Sequence, residues 1–343
     1  MGLVVEKTTG ARLDMERFLM RLFFKIIFLA ILCLCLAGFS WAQPDAFSQS
    51  EDEKFVISEQ MTPSDENQFP PSGLKTEPEK EASLPSEQKI PTEKKKEPLT
   101  RGQKTLLLNV GSMAGICIYG LTKWEYGESN FHFYNEGWFG RETKDGGADK
   151  FGHFWSNYAL SHLYSYIYRK WGYTDREANL YGALSSLGAN LFMEIADGFS
   201  PSQGFAREDM IMNLLGCGAG YVWGKYPSLA SKIDFRIEVT PEFTFHDLWV
   251  VNNYDRHRFL IALKAEGFNF IKNPYLRYLE VHVGYYARGY EDYEQGGPDH
   301  RRRNLYVGIG FNASKLLQKF VDTRVLDYIQ IPYTSLREDF PLD

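Results

Sequence analysis

The chain has 343 residues, a formal net charge of −6 and a sequence pI near 5.8. Because nucleic-acid-binding proteins usually carry a basic footprint, this charge gives no support to a nucleic acid as partner. Only 4 cysteines are present, so the sequence excludes a disulfide-stapled framework.

Residues 1–42 have the three parts of a secretory signal peptide. Basic residues precede the apolar run 26–37, and the small residues Ser40 and Ala42 follow it. The run is shorter than the roughly 20 residues of a membrane-spanning helix, so we expect cleavage before Gln43. The sequence therefore predicts an exported protein, either periplasmic or associated with an envelope membrane, with the outer membrane left open.

The cysteines fall into two pairs. Cys33 and Cys35 each follow a leucine, where lipid attachment requires a small residue, so we do not expect lipidation. Cys117 and Cys217 lie in apolar stretches beside glycines, where a free cysteine commonly serves as a small buried hydrophobe. The sequence leaves open whether these two pair with each other.

Residues 43–100 are dominated by Pro, Glu, Ser and Lys, with isolated apolar residues that could not form a core. Such a composition is typical of a disordered chain. We therefore expect a tether ahead of the folded part.

Residues 101–228 have the spacing of about four helices. The run 105–121 has no charge, and the segments 151–170 and 174–197 are rich in Ala, Leu and Tyr. Thr174 with Glu177 predicts a capping box at a helix start. The hydrophobic faces point in most directions, which indicates deep burial or contact with a membrane.

Glycines recur every four residues in two of these segments. Gly111 and Gly115 form one pair, and Gly216, Gly220 and Gly224 form a second series. This spacing lets helices approach closely. We expect the two segments to pack on each other.

The pattern changes to strand-like alternation in residues 229–320. Ile233, Phe235 and Ile237 alternate with polar residues, and similar patterns occur in 259–270, 275–290 and 304–312. Residues 321–343 are expected to be a C-terminal tail. The predicted fold class is α+β, with a compact apolar helical bundle followed by a small antiparallel β-sheet or partial barrel.

Polar residues form three stripes on the otherwise apolar helices, at spacings of three or four residues that place them on one helix side. The stripes are Asp149, His153 and Asn157; Asn190, Glu194 and Asp197; and Asp209 and Asn213. Asp149 and Asp209 suit helix starts, but Glu194 and Asp197 fall in a last turn, where negative charge opposes the helix dipole. We expect Lys150, Arg207, protonated His153 or a metal to neutralise them.

Carboxylates and a histidine converging from three helices could bind a divalent cation or form an acid/base pair. The candidate catalytic residues are Asp149, His153, Glu194, Asp197 and Asp209. The candidate metal ligands are His153, Glu194, Asp197 and Asp209. The expected ligand-binding or structural polar residues are Lys150, Asn157, Asn190, Ser202 and Asn213. No nucleophile elbow, zinc-protease helix or phosphate loop accompanies them.

The order of these motifs resembles the YfiM-like family of predicted periplasmic lipoproteins, a domain of unknown function. The motifs that carry the resemblance are 137–140, 147–153, 194–198, Ser202 and 207–216. They are also distantly similar to VanZ-like membrane proteins. The resemblance implies that Asp149, Lys150, His153, Glu194, Asp197, Asp209 and Asn213 belong to one site. It implies no reaction.

The sequence leaves three functions open. The first is a membrane-associated envelope protein whose polar cluster binds an amphiphilic, lipid-like ligand or organises the fold. The second is a metal- or acid/base-dependent enzyme acting on lipid-linked or cell-wall substrates. The third is a structural outer-membrane partner that uses its C-terminal strands.

Overall fold

A computed structural model describes residues 98–240, 253–318, 320 and 324–343. The predicted signal peptide and almost all of the predicted tether lie outside these residues. In the described part, the long helices are α1 (Arg101–Lys123), α2 (Ala148–Lys170), α3 (Asp175–Asp197) and α4 (Arg207–Lys225). The expectation of about four helices agrees with this arrangement.

Local sequence signals fix where α1 and α3 begin. Thr100 and Gln103 form a capping box ahead of α1, and Thr174 and Glu177 form the predicted one ahead of α3. Gly198 follows the last residue of α3, as expected. These caps satisfy backbone N–H groups that have no partner within the helix.

Helix α2 is central and packs against α3 and α4. A Cβ at Gly216 would lie 2.2 Å from the carbonyl oxygen of Phe154, and a Cβ at Gly220 would lie 2.6 Å from Cβ of Ser161. The glycines of α4 therefore seat this helix on α2. Nothing lies within 4 Å of a Cβ placed on Gly111 or Gly115, so the expected packing of α1 on α4 through glycines is wrong.

The bundle has small and polar residues inside and large apolar residues outside. The buried uncharged polar residues of α2, α3 and α4 include Asn157, Ser161, Ser165, Asn179, Ser186, Asn190 and Asn213. Exposed apolar residues of the same helices are Leu163, Leu180, Leu184, Leu191, Ile195, Ile211, Leu214 and Leu215. Proteins in water show the opposite tendency. The predicted apolar character is therefore a property of the outer surface of the bundle.

By length and composition alone, α1 could cross a membrane. The core helices of soluble proteins and signal sequences meet the same criteria, so this property by itself is weak evidence for a span.

The short strands β1 (Phe133–Tyr134) and β2 (Phe205–Ala206) pair in parallel. Helix α5 (Pro227–Ala230) leads from the bundle to the strands β3 (Ile233–Val239), β4 (His257–Lys264) and β5 (Leu279–Arg288). Helix α6 (Tyr290–Glu294), strand β6 (Arg302–Phe311) and helix α7 (Ala313–Leu317) follow.

The last two strands are β7 (Ile329–Gln330) and β8 (Ser335–Pro341), so the segment expected to be a tail joins the sheet at both of its edges. The six-stranded order is β7-β3-β4-β5-β6-β8. The predicted α+β class is confirmed. The sheet is mixed, because β7 runs parallel to β3 while the other pairs are antiparallel.

The sheet buries its polar face. Asp234, Arg236 and Glu238 of β3, which alternation predicts on the solvent side of a half-buried strand, are at most 2 % exposed. Arg236 donates to Glu280 of β5, two strands away, and to Gln330 of β7. The sheet curls around these charges and presents many of its apolar residues outward.

Candidate functional site

The N-terminal end of α2 is held by a tight turn and by the sheet. A 3-10 turn at Lys144–Gly147 precedes the helix, and Gly146 and Gly147 adopt positive φ angles of 59° and 82°. A Cβ at Gly146 would collide with the ring of Tyr290. The hydroxyl of Tyr285 in β5 donates to the carbonyl oxygen of Gly146. These contacts place Asp149 and Lys150 in the first turn of α2.

Lys150 lies at the centre of an acidic cluster. Its side chain is fully buried, and Nζ donates to Asp149 Oδ2 at 2.6 Å and to Asp209 Oδ1 at 2.7 Å. It also donates to Glu136, from the loop ahead of α2. Three charge-assisted hydrogen bonds thus use every donor of the ammonium group.

His153 lies one helical turn beyond Asp149. Its Nδ1 is 3.4 Å from Glu194 Oε1 of α3, and its Nε2 is 3.6 Å from Asp209 Oδ2 of α4. Its side chain is 15 % exposed, whereas those of Glu194 and Asp209 are 2 % and 6 % exposed. His153 is therefore the more accessible of these three side chains.

Two amides connect the helices behind His153. Asn157 Nδ2 donates to Asn213 Oδ1 at 2.6 Å, and Asn213 Nδ2 is 3.4 Å from Glu194 Oε1. Ser186 of α3 donates to Asn157 Oδ1. The amides tie α2, α3 and α4 together, because each can donate and accept.

Asp197 closes the cluster at the end of α3. The hydroxyl of Tyr126 donates to Asp197 Oδ1 at 2.6 Å. Burial raises the pKa of Asp197 to about 7, against a usual value of 3.8. Burial also raises the pKa of Glu194 well above its usual range, and the charge of Asp209 adds to the shift. These carboxyl groups therefore favour their neutral forms more than exposed ones do.

We use the name polar cluster for Glu136, Asp149, Lys150, His153, Glu194, Asp197, Asp209 and Asn213. Its acidic members outnumber its cations, even when Lys144, which donates to Glu136 at 3.0 Å, is added. Burial opposes the charge of Glu136, yet Lys144 and Lys150 lower its pKa below the usual range. Glu194 and Asp197 have no such ammonium partner among the described residues. Lys150 therefore neutralises Glu136, Asp149 and Asp209, and not Glu194 and Asp197 as expected.

Two groups of side chains have a spacing suited to a metal ion. One ligand atom each from His153, Glu194 and Asp209 lie within 4.8 Å of one another, as do atoms of Glu136, Asp149 and Asp209. The second group surrounds the Lys150 ammonium, which already supplies a positive charge. The first group offers a nitrogen and two carboxylates, a set that divalent transition metals accept.

Three residues expected near the carboxylates make other contacts. Asn190 donates to the carbonyl oxygen of Ser186, one turn back in α3. Ser202 lies within hydrogen-bonding distance of the hydroxyl of Ser200, and no hydrogen bond to Glu194 is observed in the described chain. Arg207 lies over the ring of Phe133, so it does not neutralise Glu194 or Asp197 as expected.

Sequence reasoning missed Glu136, Lys144 and Tyr126. All three come from loops or turns, where helical periodicity gives no signal. Only the fold brings these residues to the ends of α2 and α3.

Residues 135–225 match the model of a family described as predicted periplasmic lipoprotein (DUF2279). The matched region begins beside Glu136 and ends with α4, so it contains every residue of the polar cluster and leaves out Tyr126 and the six-stranded sheet. No curated protein and no solved structure matches the chain. The resemblance expected from the motifs is thereby confirmed for residues 135–225, which contain α2, α3 and α4 and are similar to a family of predicted periplasmic lipoproteins of unknown function.

Proposed function

We propose that the protein associates with an envelope membrane and binds the polar end of an amphiphilic envelope ligand at the polar cluster. The observation that carries this proposal is the reversed polarity of the bundle. Leu184, Leu191 and Ile195 of α3 face outward, while Asn190 and Glu194 of the same helix are buried. A hydrocarbon environment suits such a surface, because water would make its exposure unfavourable.

The cluster supports the choice of ligand. Buried, hydrogen-bonded polar groups beside an apolar exterior can receive a ligand that has both characters. His153 gives the cluster an accessible donor or acceptor, with Glu194 and Asp209 behind it. A polar headgroup would hydrogen-bond to His153 and its neighbours, and its apolar part would remain on the outer surface.

Lipid analysis of the full chain, purified in mild detergent from envelope membranes, tests this proposal. We expect a lipid to copurify with the unaltered protein and to be reduced in His153→Ala and Glu194→Gln. His300→Ala, which changes an exposed histidine outside the cluster, is the control and should retain it. Equal lipid content in all four proteins would reject the proposal, and turnover of an envelope lipid by the pure protein would reject its non-catalytic form.

A second proposal is a divalent cation held by His153, Glu194 and Asp209. The 4.8 Å grouping of their ligand atoms and the acidic excess of the cluster favour it. A bound cation could activate water for hydrolysis of a lipid-linked or cell-wall substrate. We expect elemental analysis to find metal in the unaltered protein and less in Asp209→Asn. A metal-free protein that still binds its lipid would exclude this version.

A further inference from the structure

An apolar groove lies between the bundle and the outer face of the sheet. Its volume is about 340 Å³. Residues of α2, α4 and the strands β3, β4, β5 and β6 form its walls. The lining side chains that matter most are Phe154, Trp155, Met212, Leu215, Ile261 and Val283.

The groove is open along an apolar rim. Leu215, Ile261, Val283 and Leu305 line it and are between 40 and 55 % exposed. An apolar cavity of this size holds water poorly, because its walls offer few hydrogen bonds. An apolar occupant would pack against these walls and would need no hydrogen bonds from them.

The rim continues into an apolar strip on the sheet. Cross-strand register places Val281 opposite Ile309, and Ile309 opposite Leu336. These three side chains are between 42 and 86 % exposed. Strands β5 and β6 are paired on both sides, so their backbone groups are satisfied in the ladder, as hydrocarbon surroundings require; β8 is an edge strand and pairs with β6 alone. The strip offers lipid chains a direct approach to the groove.

The groove also adjoins the polar cluster. Met212 follows Asp209 by three residues on α4, so both side chains lie on the same side of that helix. An amphiphile could therefore place its chain in the groove and its polar end near His153.

We propose that this groove binds the acyl chain of a lipid supplied by the surrounding bilayer. The inference deepens and rests on the proposed membrane association. An acyl chain fits better than a peptide, because the rim residues are aliphatic and the charged residue of the lining, Arg236, is 2 % exposed and already paired with Asp234 and Glu280. A peptide backbone would bring N–H and C=O groups that this rim could not satisfy.

Fluorescence quenching by brominated acyl chains tests the proposal, because bromine quenches tryptophan emission on contact. The full chain is mixed with vesicles of phosphatidylethanolamine and phosphatidylglycerol whose chains are either brominated or unmodified. We expect brominated vesicles to lower the emission, and Trp155→Phe to lose part of that decrease. The same decrease in both proteins would overturn the groove assignment.

A rim variant supplies a second measurement. Leu215→Glu places a charge on an exposed rim position and should reduce the quenching of Trp155. Leu276→Glu, at a 49 % exposed leucine that does not line the groove, should leave the quenching unchanged. Circular dichroism spectra establish that both variants are folded. Equal quenching in the two variants would contradict the proposal.

Flotation of the same vesicles separates the two proposals. If the protein floats with the vesicles but brominated chains do not quench Trp155, the groove proposal is rejected and membrane association is retained. Protein that does not float, but whose Trp155 is quenched in micelles of brominated dodecyl maltoside, would reject membrane association and keep an acyl-chain site. A third outcome is that a polypeptide copurifies with the lipid-free protein and shields Trp155 from brominated chains. That result would assign the groove to a protein partner and overturn the proposal.

Discussion

Arg337 of β8 donates through Nη1 to Glu238 of β3 at 3.1 Å, although three strands lie between β3 and β8 in the sheet. Arg258 of β4 donates to the same Glu238 oxygen at 2.7 Å. A flat sheet would keep β3 and β8 far apart, since neighbouring strands are about 4.8 Å apart. The sheet is therefore strongly curled, and Glu238 joins its far sides from within.

Glu238→Gln should destabilise the protein by about 3 kcal/mol, because it removes the charge of a buried carboxylate that Arg258 and Arg337 share. Urea denaturation followed by circular dichroism measures this difference. The control is Glu142→Gln, which affects the ion pair with Arg301 at a glutamate side chain that is 75 % exposed, and it should cost less than about 1 kcal/mol. Similar losses in the two variants would show that Glu238 does not hold the sheet closed.

Lys150→Met should cost about 3–5 kcal/mol, because Asp149, Asp209 and Glu136 would lose a fully buried cation. Lys144→Met is the matched change at a side chain that is 26 % exposed and contacts Glu136 alone among these carboxylates. We expect a loss of about 1 kcal/mol there. Thermal and urea unfolding of both variants would measure the difference, and a larger loss in Lys144→Met would contradict this description of the cluster.

Asp197 should make the protein less stable as pH rises between about 4 and about 7, the range between its usual and folded pKa values. In this range the folded state keeps the proton that the unfolded state releases, so rising pH favours unfolding. The contribution is fully present below the usual pKa and is lost as pH approaches the folded value. Asp197→Asn keeps an oxygen that can accept from Tyr126 and should flatten this decline in urea unfolding free energy. An unchanged slope would refute the assignment.

Gly216→Ala and Gly218→Ala should have opposite effects on stability. A Cβ at Gly216 would lie 2.2 Å from the carbonyl oxygen of Phe154, whereas nothing lies within 4 Å of one at Gly218. Overpacking should cost Gly216→Ala about 1–3 kcal/mol. Gly218→Ala should gain up to about 1 kcal/mol from its higher helix propensity. Differential scanning calorimetry compares the unfolding temperatures of the two variants. Stabilisation by both would show that the packing of α4 on α2 does not require glycine at position 216.

Local sequence patterns predicted the helices and several strands well. Alternating residues identified β3, and the predicted segment 304–312 overlaps β6 (Arg302–Phe311). Strand β8 was missed because Arg337, Glu338 and Asp339 resemble a solvated tail. Its partner β6 ends at Phe311, so the pairing depends on contacts between distant parts of the chain.

Helical periodicity in the sequence shows which cluster residues share a helix side, because it places Asp149 and His153, or Glu194 and Asp197, on neighbouring turns. Periodicity distinguishes two faces but does not say which one is buried. Only the tertiary structure placed Lys150 among three carboxylates, added Glu136 from a loop, and turned the charged face of β3 inward. Those outcomes depend on how helices pack and how far the sheet curls, which are set by contacts between residues far apart in the chain.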